Sequence, residues 1–458
     1  MLLYRGRAFG AKGEGYIPTI KVESKTPDEL LDSTNYSDWE DFNSIWNITE
    51  DGISLNVQVE NIPDNIILVA TDANTEGTYT LGQYTGIIGE NVFDDIQDAV
   101  NNADEGSTII VAPGEYNGNI LFGGKSLTIQ AQYLAYKDGV KETDESKLSK
   151  FTGTFNAYGD TAESFYADQK IVIDGFALSG DGLKIGNNNY NSVGNLEVRH
   201  CTMTFGKNLT NPSDNSYAGL NYFVKVNGNN GTPYATVTVE NNYVSGTPNP
   251  NVYPIQLWDV EKTVVKNNTI ILEKAENHQT ISISKTAENA TVEITKNEIT
   301  GAGGGVYVTT WLLCGDNTEE NTFAGIIDVK DNTITCAESD IYPIFLGYAE
   351  VEDVPYGQLG GKLTVEQNID GDGVPVEVVF DIKENDEATD PVVIFATFKD
   401  DEKAIATCGQ ASNKGTITIT MPDALEKTGY TFLGWKYGNK TARAGDEVTI
   451  SEDTVFEA

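Results

Sequence analysis

VTVENNYVSG (237–246), TVVKNNTIIL (263–272), VEITKNEITG (292–301) and IDVKDNTITC (327–336) are four copies of one pattern. Each reads apolar, any, apolar, any, any, Asn, any, apolar. A shortened copy, LTVEQNID, begins at Leu363, and looser ones begin at Ile171 (IVIDGFALSG) and Leu196 (LEVRHCTMTF). The alternation has period two, which is strand periodicity. Taking the second apolar residue as a marker gives Ile173, Val198, Val239, Val265, Ile294, Val329 and Val365, with steps of 25, 41, 26, 29, 35 and 36 residues. A helical repeat holds its length. A β-solenoid keeps its strands and lets its loops grow, so unequal steps point to stacked β-coils. Second strands follow in most coils: YPIQLWD from Tyr253, QTISISK from Gln279, GVYVTTW from Gly305 and YPIFLGY from Tyr342.

Upstream lies FDDIQDAVNNADEGSTIIVAPGEYNGNILFGGKSLTIQA, from Phe93. Phe93, Ile96 and Val100 form a helical stripe, and Ala99 and Ala103 leave room for close packing. The chain then turns through Gly106 into a strand at 108–111, and Pro113-Gly114 makes the next turn. This run resembles the entry coil of the pectin-lyase-like β-helix superfamily, in which a short amphipathic helix caps the solenoid. With the Asn-turn repeats, the resemblance extends from Val92 to Val374. It implies an all-β, right-handed, single-stranded parallel β-helix.

The expected organisation is a basic arm and small β-rich segment over 1–85, the β-helix over 86–375, and a β module over 376–458. That last segment contains GYTFLGWKYGNKTARAGDEVTISEDTVFEA from Gly429. Its Gly429, Tyr430, Phe432, Gly434, Trp435, Gly445 and Val448 resemble the internalin B-type repeat, a small β-grasp-like module of bacterial surface proteins.

The chain has 458 residues, 30 Lys+Arg against 69 Asp+Glu, and a formal net charge of −39. Such an acidic surface argues against nucleic acid as a partner, since phosphate binding needs clustered cations. No segment has the length and apolarity for membrane insertion. The four cysteines, Cys201, Cys314, Cys336 and Cys408, lack metal-site spacing, so neither a metal nor a cofactor is expected. A single Cys314–Cys336 bridge stays open. MLLYRGRAFGAKGEGYIPTI holds no apolar run of signal-peptide length, which, with Met1 as the start, points away from export by the usual route.

Stacking the copies puts Asn242, Asn268, Asn297, Asn332 and Asn368 at one corner, one per coil, about 4.8 Å apart along the axis. An inward asparagine there satisfies the buried turn backbone and the next asparagine. Phe176 and Cys201 hold the same position in the two earlier coils, so the ladder is expected to start at Asn242. The residue after each marker faces outward: Asp174, Arg199, Glu240, Lys266, Thr295, Lys330, Glu366. Its charges mostly alternate, which suits neighbouring strands. In polysaccharide lyases of the resembled fold an arginine acts as the base. Arg199 is the weak candidate for that role here, but it also fits a rung between Asp174 and Glu240.

On the other side of the marker, Glu293 and Asp328 fall on successive coils. Paired carboxylates can share a proton, bind a cation or cleave a glycoside, so they are the weak catalytic pair. The Asn-Thr-Asp, paired-Asp and Gly-His-Gly signatures of polygalacturonases are not assembled, and His200 and His278 do not lie between glycines. Asn368-x-Asp370-x-Asp372-Gly373 imitates the start of a calcium loop, but Val379 stands where the closing Glu belongs. A turn is expected instead. Outward aromatics on the second strands, Trp258, Tyr307 and Phe345, with Trp311 and Tyr348 close by, form a candidate surface for stacking on sugar rings.

These readings lead to a non-enzymatic, surface-displayed adhesive protein. A phage virion component fits best, docking on capsid or tail proteins through Arg5, Arg7 and Lys12 of the basic arm and presenting the β-helix to surface glycans. The alternatives are a cell-surface adhesin, extracellular, and a polysaccharide lyase or glycoside hydrolase. Fibres on the resembled fold are often trimers, so a homo-oligomer is an expectation from resemblance alone.

Overall fold

The computed structural model describes residues 2–5, 21–24, 46–49, 52–55, 60–73, 76–156, 166–180, 183–186, 193–206, 209–211, 216–217, 222–227, 234–247, 253–258, 260–273, 279–284, 290–309, 322–323, 325–336, 342–347, 358–359, 362–381, 392–412 and 415–458. They form an all-β parallel β-helix with long parallel sheets. Each coil gives one strand to each of three sheets. The coil of Val260–Lys266, Thr269–Leu272 and Gln279–Ser284 is typical.

The first sheet carries the markers. They pair in register as sequence stacking requires: Val239 with Val265, Val265 with Ile294, Ile294 with Val329, and Val329 with Val365. The second sheet holds short strands such as Tyr243–Gly246, Thr269–Leu272 and Thr333–Cys336, and the third runs from Asn119–Leu121 to Val378–Asp381. Alternate residues from all three meet in one continuous core. Parallel strands cannot be joined by tight hairpins, so a core built this way needs a crossover per strand. Here the other two sheets supply the crossover.

Two boundaries differ from the sequence expectation. Strand Ile66–Val69 already pairs in parallel with Thr108–Val111, so the first sheet begins before residue 86. Val378–Asp381 still pairs in parallel with Ile344–Gly347, so the third sheet passes residue 375. The capping helix spans Ile96–Asn102, with Asp95 accepting from the Gln97 and Asp98 amides. Phe93 is not on it. Phe93 lies in strand Val92–Phe93, because the helix can start only once Asp95 caps it. Lys125 Nζ closes the other end on the carbonyls of Val100 and Asn101 at 2.9 Å. Among the described residues no helix is long and apolar enough to cross a membrane.

At the far end the last first-sheet strand, Lys362–Glu366, pairs antiparallel with Lys403–Ser412. An antiparallel neighbour covers the open edge that a parallel stack leaves. The module beyond has its own core around Trp435, whose Nε1 donates to Pro422 at 3.0 Å and whose ring stands edge-on to Phe398 and Phe432. Gly434 adopts φ 144, and a Cβ there would lie 2.6 Å from the Ala442 oxygen, which explains glycine beside the buried tryptophan. Residues 1–62 and 80–86 form a separate unit with antiparallel strand pairs such as Leu2–Arg5 with Lys21–Ser24. Arg5 falls in that pair with its side chain outside the described residues, and Arg7 and Lys12 lie outside them too.

Candidate functional site

The asparagine corner is a continuous hydrogen-bonded ladder. Asn242, Asn268, Asn297 and Asn332 each donate from N and Nδ2 to Oδ1 of the next asparagine at 2.9–3.1 Å. Each Nδ2 from Asn242 to Asn368 also donates to the carbonyl of a marker residue: Val198, Val239, Val265, Ile294 and Val329 in turn. Cys201 takes the slot before Asn242. Its sulfur donates to Arg199 O at 3.2 Å, receives the Phe176 amide, and burial pushes the thiol up to about 12. One coil earlier Phe176 replaces the polar rung by packing on Phe155, which stacks on Phe151. The residue before each rung is left-handed: His200, Asn241, Asn267, Lys296, Asp331 and Gln367 have φ 53–57, and Gly175 has φ 83. These inward groups hold the turn and leave nothing free for a ligand. Asn368 is spent there, and Asp370 closes a local turn by accepting from Asp372 and Val374 at 2.9 Å.

The outer charges form separate pairs rather than one continuous ladder. Arg199 meets Asp174 at 2.8 Å and Glu197 of its own strand, Lys266 meets Glu240 at 3.1 Å, and Lys330 meets Glu366 at 3.5 Å. The chain breaks between Lys266 and Lys330, where Thr295 intervenes. Asp174 is nearly buried and also contacts His200 at 2.8 Å, a partner that the strand pattern does not reveal because His200 sits in the turn. Glu293 and Asp328 are direct neighbours in register. Each is engaged along its own strand, Glu293 by Thr295 at 3.2 Å and Asp328 by Lys330 at 3.3 Å. Val264 and Thr364 flank them in the same row. Cys336 is a free thiol among the described residues, and Cys314, its possible bridge partner, lies outside them.

The outward face of the third sheet is the more distinctive surface. Its register aligns Lys225, Gln256, Ser282, Tyr307, Phe345 and Val379 in one row. Tyr307 and Phe345 stack at 5.1 Å with their planes 21° apart, and Tyr342, almost half exposed, extends the stack at 6.5 Å. Further down, Lys225 Nζ stands 4.4 Å over the Tyr222 ring. Burial, and then the neighbouring Tyr253 phenol, push Tyr222 and Tyr307 up, while burial pushes Lys225 down. Gln256 is 6% exposed and its Oε1 has no hydrogen-bond partner among the described residues.

Trp258 shares the outward side but not the row. It stands two residues along, opposite Ser284, with a buried, unpartnered Nε1. Trp311 and Tyr348 lie outside the described residues. Tyr222, Tyr253, Tyr342, Lys225 and Gln256 were missed by sequence reasoning. Aligning the two Tyr-Pro-Ile segments, 253–255 and 342–344, would have found Gln256 opposite the Phe345 position. No protein-family model matches the chain, and no curated protein matches it.

Proposed function

We propose that this chain is a non-enzymatic, outwardly displayed β-solenoid that binds glycans on the aromatic row of its third sheet. The nearly parallel Tyr307–Phe345 stack carries the reading, together with the Gln256 carbonyl two strands away in the same row, which has no hydrogen-bond partner among the described residues. A pyranose ring presents an apolar C–H face and a rim of hydroxyls. Flat aromatic rings suit the face, and a buried carbonyl lacking a donor suits a hydroxyl. The sheet is built from hydrogen-bonded strands with a packed core, so the row is held in shape before any ligand arrives. The acidic surface and the basic N-terminal arm support a place on a phage particle, docked through residues 1–18.

A glycan array probed with the intact protein tests the binding. Tyr307→Ala is expected to weaken each signal from a neutral glycan on the order of tenfold, the value of about 1–2 kcal/mol of lost stacking. Unchanged binding in Tyr307→Ala, together with unchanged binding in Gln256→Leu, refutes the aromatic row. Removing residues 1–18 is expected to stop incorporation into particles, and full incorporation refutes the docking role.

A further inference from the structure

A pocket of about 220 Å³ lies where the antiparallel strand Lys403–Ser412 and the strand Ile417–Thr420 rise beside the last first-sheet strand. Lys362, Thr364 and Glu366 of Lys362–Glu366 line it, with Lys330 from the coil before and Gln410, Cys408 and Thr420 from the module side. Thr364 is 6% exposed and its Oγ1 has no nitrogen or oxygen partner. It faces the Cys408 thiol across the antiparallel pair, a weak hydrogen-bonding group. Lys330 is already paired with Asp328 and Glu366. Lys362 makes no ion pair among the described residues, in a chain of net charge −39.

We propose that this pocket binds one acidic sugar unit: a hydroxylated ring carrying a single carboxylate, as in a hexuronate. The charge count selects a monoanion. Lys362 offers one ammonium without an ion pair among the described residues, whereas a dianionic phosphate would meet the Glu366 carboxylate in the lining. The polar lining selects a polyol. Glu366 and the Gln410 carbonyl accept, while Thr364, Thr420 and the Gln410 amide donate, so a ligand must offer both. The volume selects a single unit, since it equals roughly seven waters at about 30 Å³ each. Small apolar surface from Ala406 and Pro422 faces the same space and suits a ring face. The inference is independent of the aromatic row, which lies on a different sheet.

The test is ligand-observed saturation-transfer NMR on the full chain with sodium glucuronate, glucose and sodium acetate as probes. Wild type is expected to bind glucuronate at least about tenfold more tightly than glucose or acetate, the value of one charge-assisted hydrogen bond. Lys362→Met is expected to lose that preference, Thr364→Val to weaken glucuronate severalfold, and Tyr307→Ala to leave it unchanged. Thr364→Val keeps the shape and removes only the hydroxyl, so it separates binding from folding. Absence of glucuronate transfer in wild type overturns the proposal. So does equal binding of acetate, or loss of signal in Tyr307→Ala with retention in Lys362→Met.

Discussion

Replacing Asn297 in the middle of the ladder isolates what an inward asparagine contributes. Its Oδ1 accepts from Asn268 N at 3.1 Å and Asn268 Nδ2 at 2.9 Å, and its Nδ2 donates to Val265 O at 2.8 Å and Asn332 Oδ1 at 3.0 Å. After Asn297→Ala, Asn268 Nδ2 keeps Val239 O, and Asn332 Oδ1 keeps the Asn297 amide. The Asn268 N–H has no such reserve, and Asn268 is 1% exposed. One stranded buried donor costs about 1–3 kcal/mol, and the three other lost bonds about 1 kcal/mol each net, so about 4–6 kcal/mol is expected. Asn297→Leu separates this from cavity formation, because leucine refills the space but cannot accept a hydrogen bond. Coils of a solenoid can open locally, so amide hydrogen exchange at Asn268 and its neighbours is the appropriate assay. Exchange is expected to speed up by about three to four orders of magnitude in both variants. A leucine variant with wild-type protection would refute the reasoning, since it would make the ladder a matter of packing rather than of polar satisfaction.

Lys296 holds φ 56 where Asn241 and Asn267 hold the same turn in earlier coils; Lys296→Asn is expected to raise stability by a few tenths to about 1 kcal/mol and Lys296→Val to lower it by about 1–2 kcal/mol, read from urea midpoints. Cys201→Asn should add a rung, its Oδ1 taking the Phe176 amide now held by sulfur. The folded-state thiol, raised from 9.0 to about 12, keeps its proton while the unfolded chain loses it. Its contribution is therefore complete below pH 9 and falls as pH rises toward 12, so urea midpoints of Cys201→Asn should decline less steeply than wild type above pH 9; equal slopes count against it. Arg199→Met is expected to cost about 2 kcal/mol, less than a fully buried pair because the guanidinium is one-third exposed and His200 still faces Asp174. Glycan binding should be unaffected; loss of a glycan-cleaving activity at unchanged stability would return Arg199 to a catalytic role.

The coils were legible because their constraint is local and repeated. A buried turn needs an acceptor at a fixed offset, and alternation of apolar residues fixes which side chains enter the core, so five asparagines and their markers suffice to set the register of the first sheet. The third sheet was legible only in parity. Its strands follow loops of unequal length, so Trp258 could be assigned to the outward side but not to its row, and Tyr253 and Gln256 were not tied to Tyr307. The charge row shows a different limit. Stacking order placed Arg199 between Asp174 and Glu240, but long side chains choose among neighbours by reach, and Arg199 turned to Asp174 and to Glu197 on its own strand. Nothing in a strand pattern predicts His200 on Asp174, because the contact depends on the left-handed turn that carries the histidine.

Glu293 and Asp328 show why chemistry-bearing residues on this fold must be judged by what rises above them. Adjacent coils bring any two outward carboxylates together, so proximity along a sheet is a consequence of the stack and says little about reaction. Both are satisfied along their own strands by Thr295 and Lys330. One coil further, the same row reaches Thr364, where an antiparallel strand and the strand Ile417–Thr420 lie beside the sheet. There the sheet gains a wall, the Thr364 hydroxyl is left facing only a thiol, and Lys362 makes no ion pair among the described residues. The end of the solenoid, rather than the carboxylate pair beside it, is where this outward row acquires the concavity that a ligand requires.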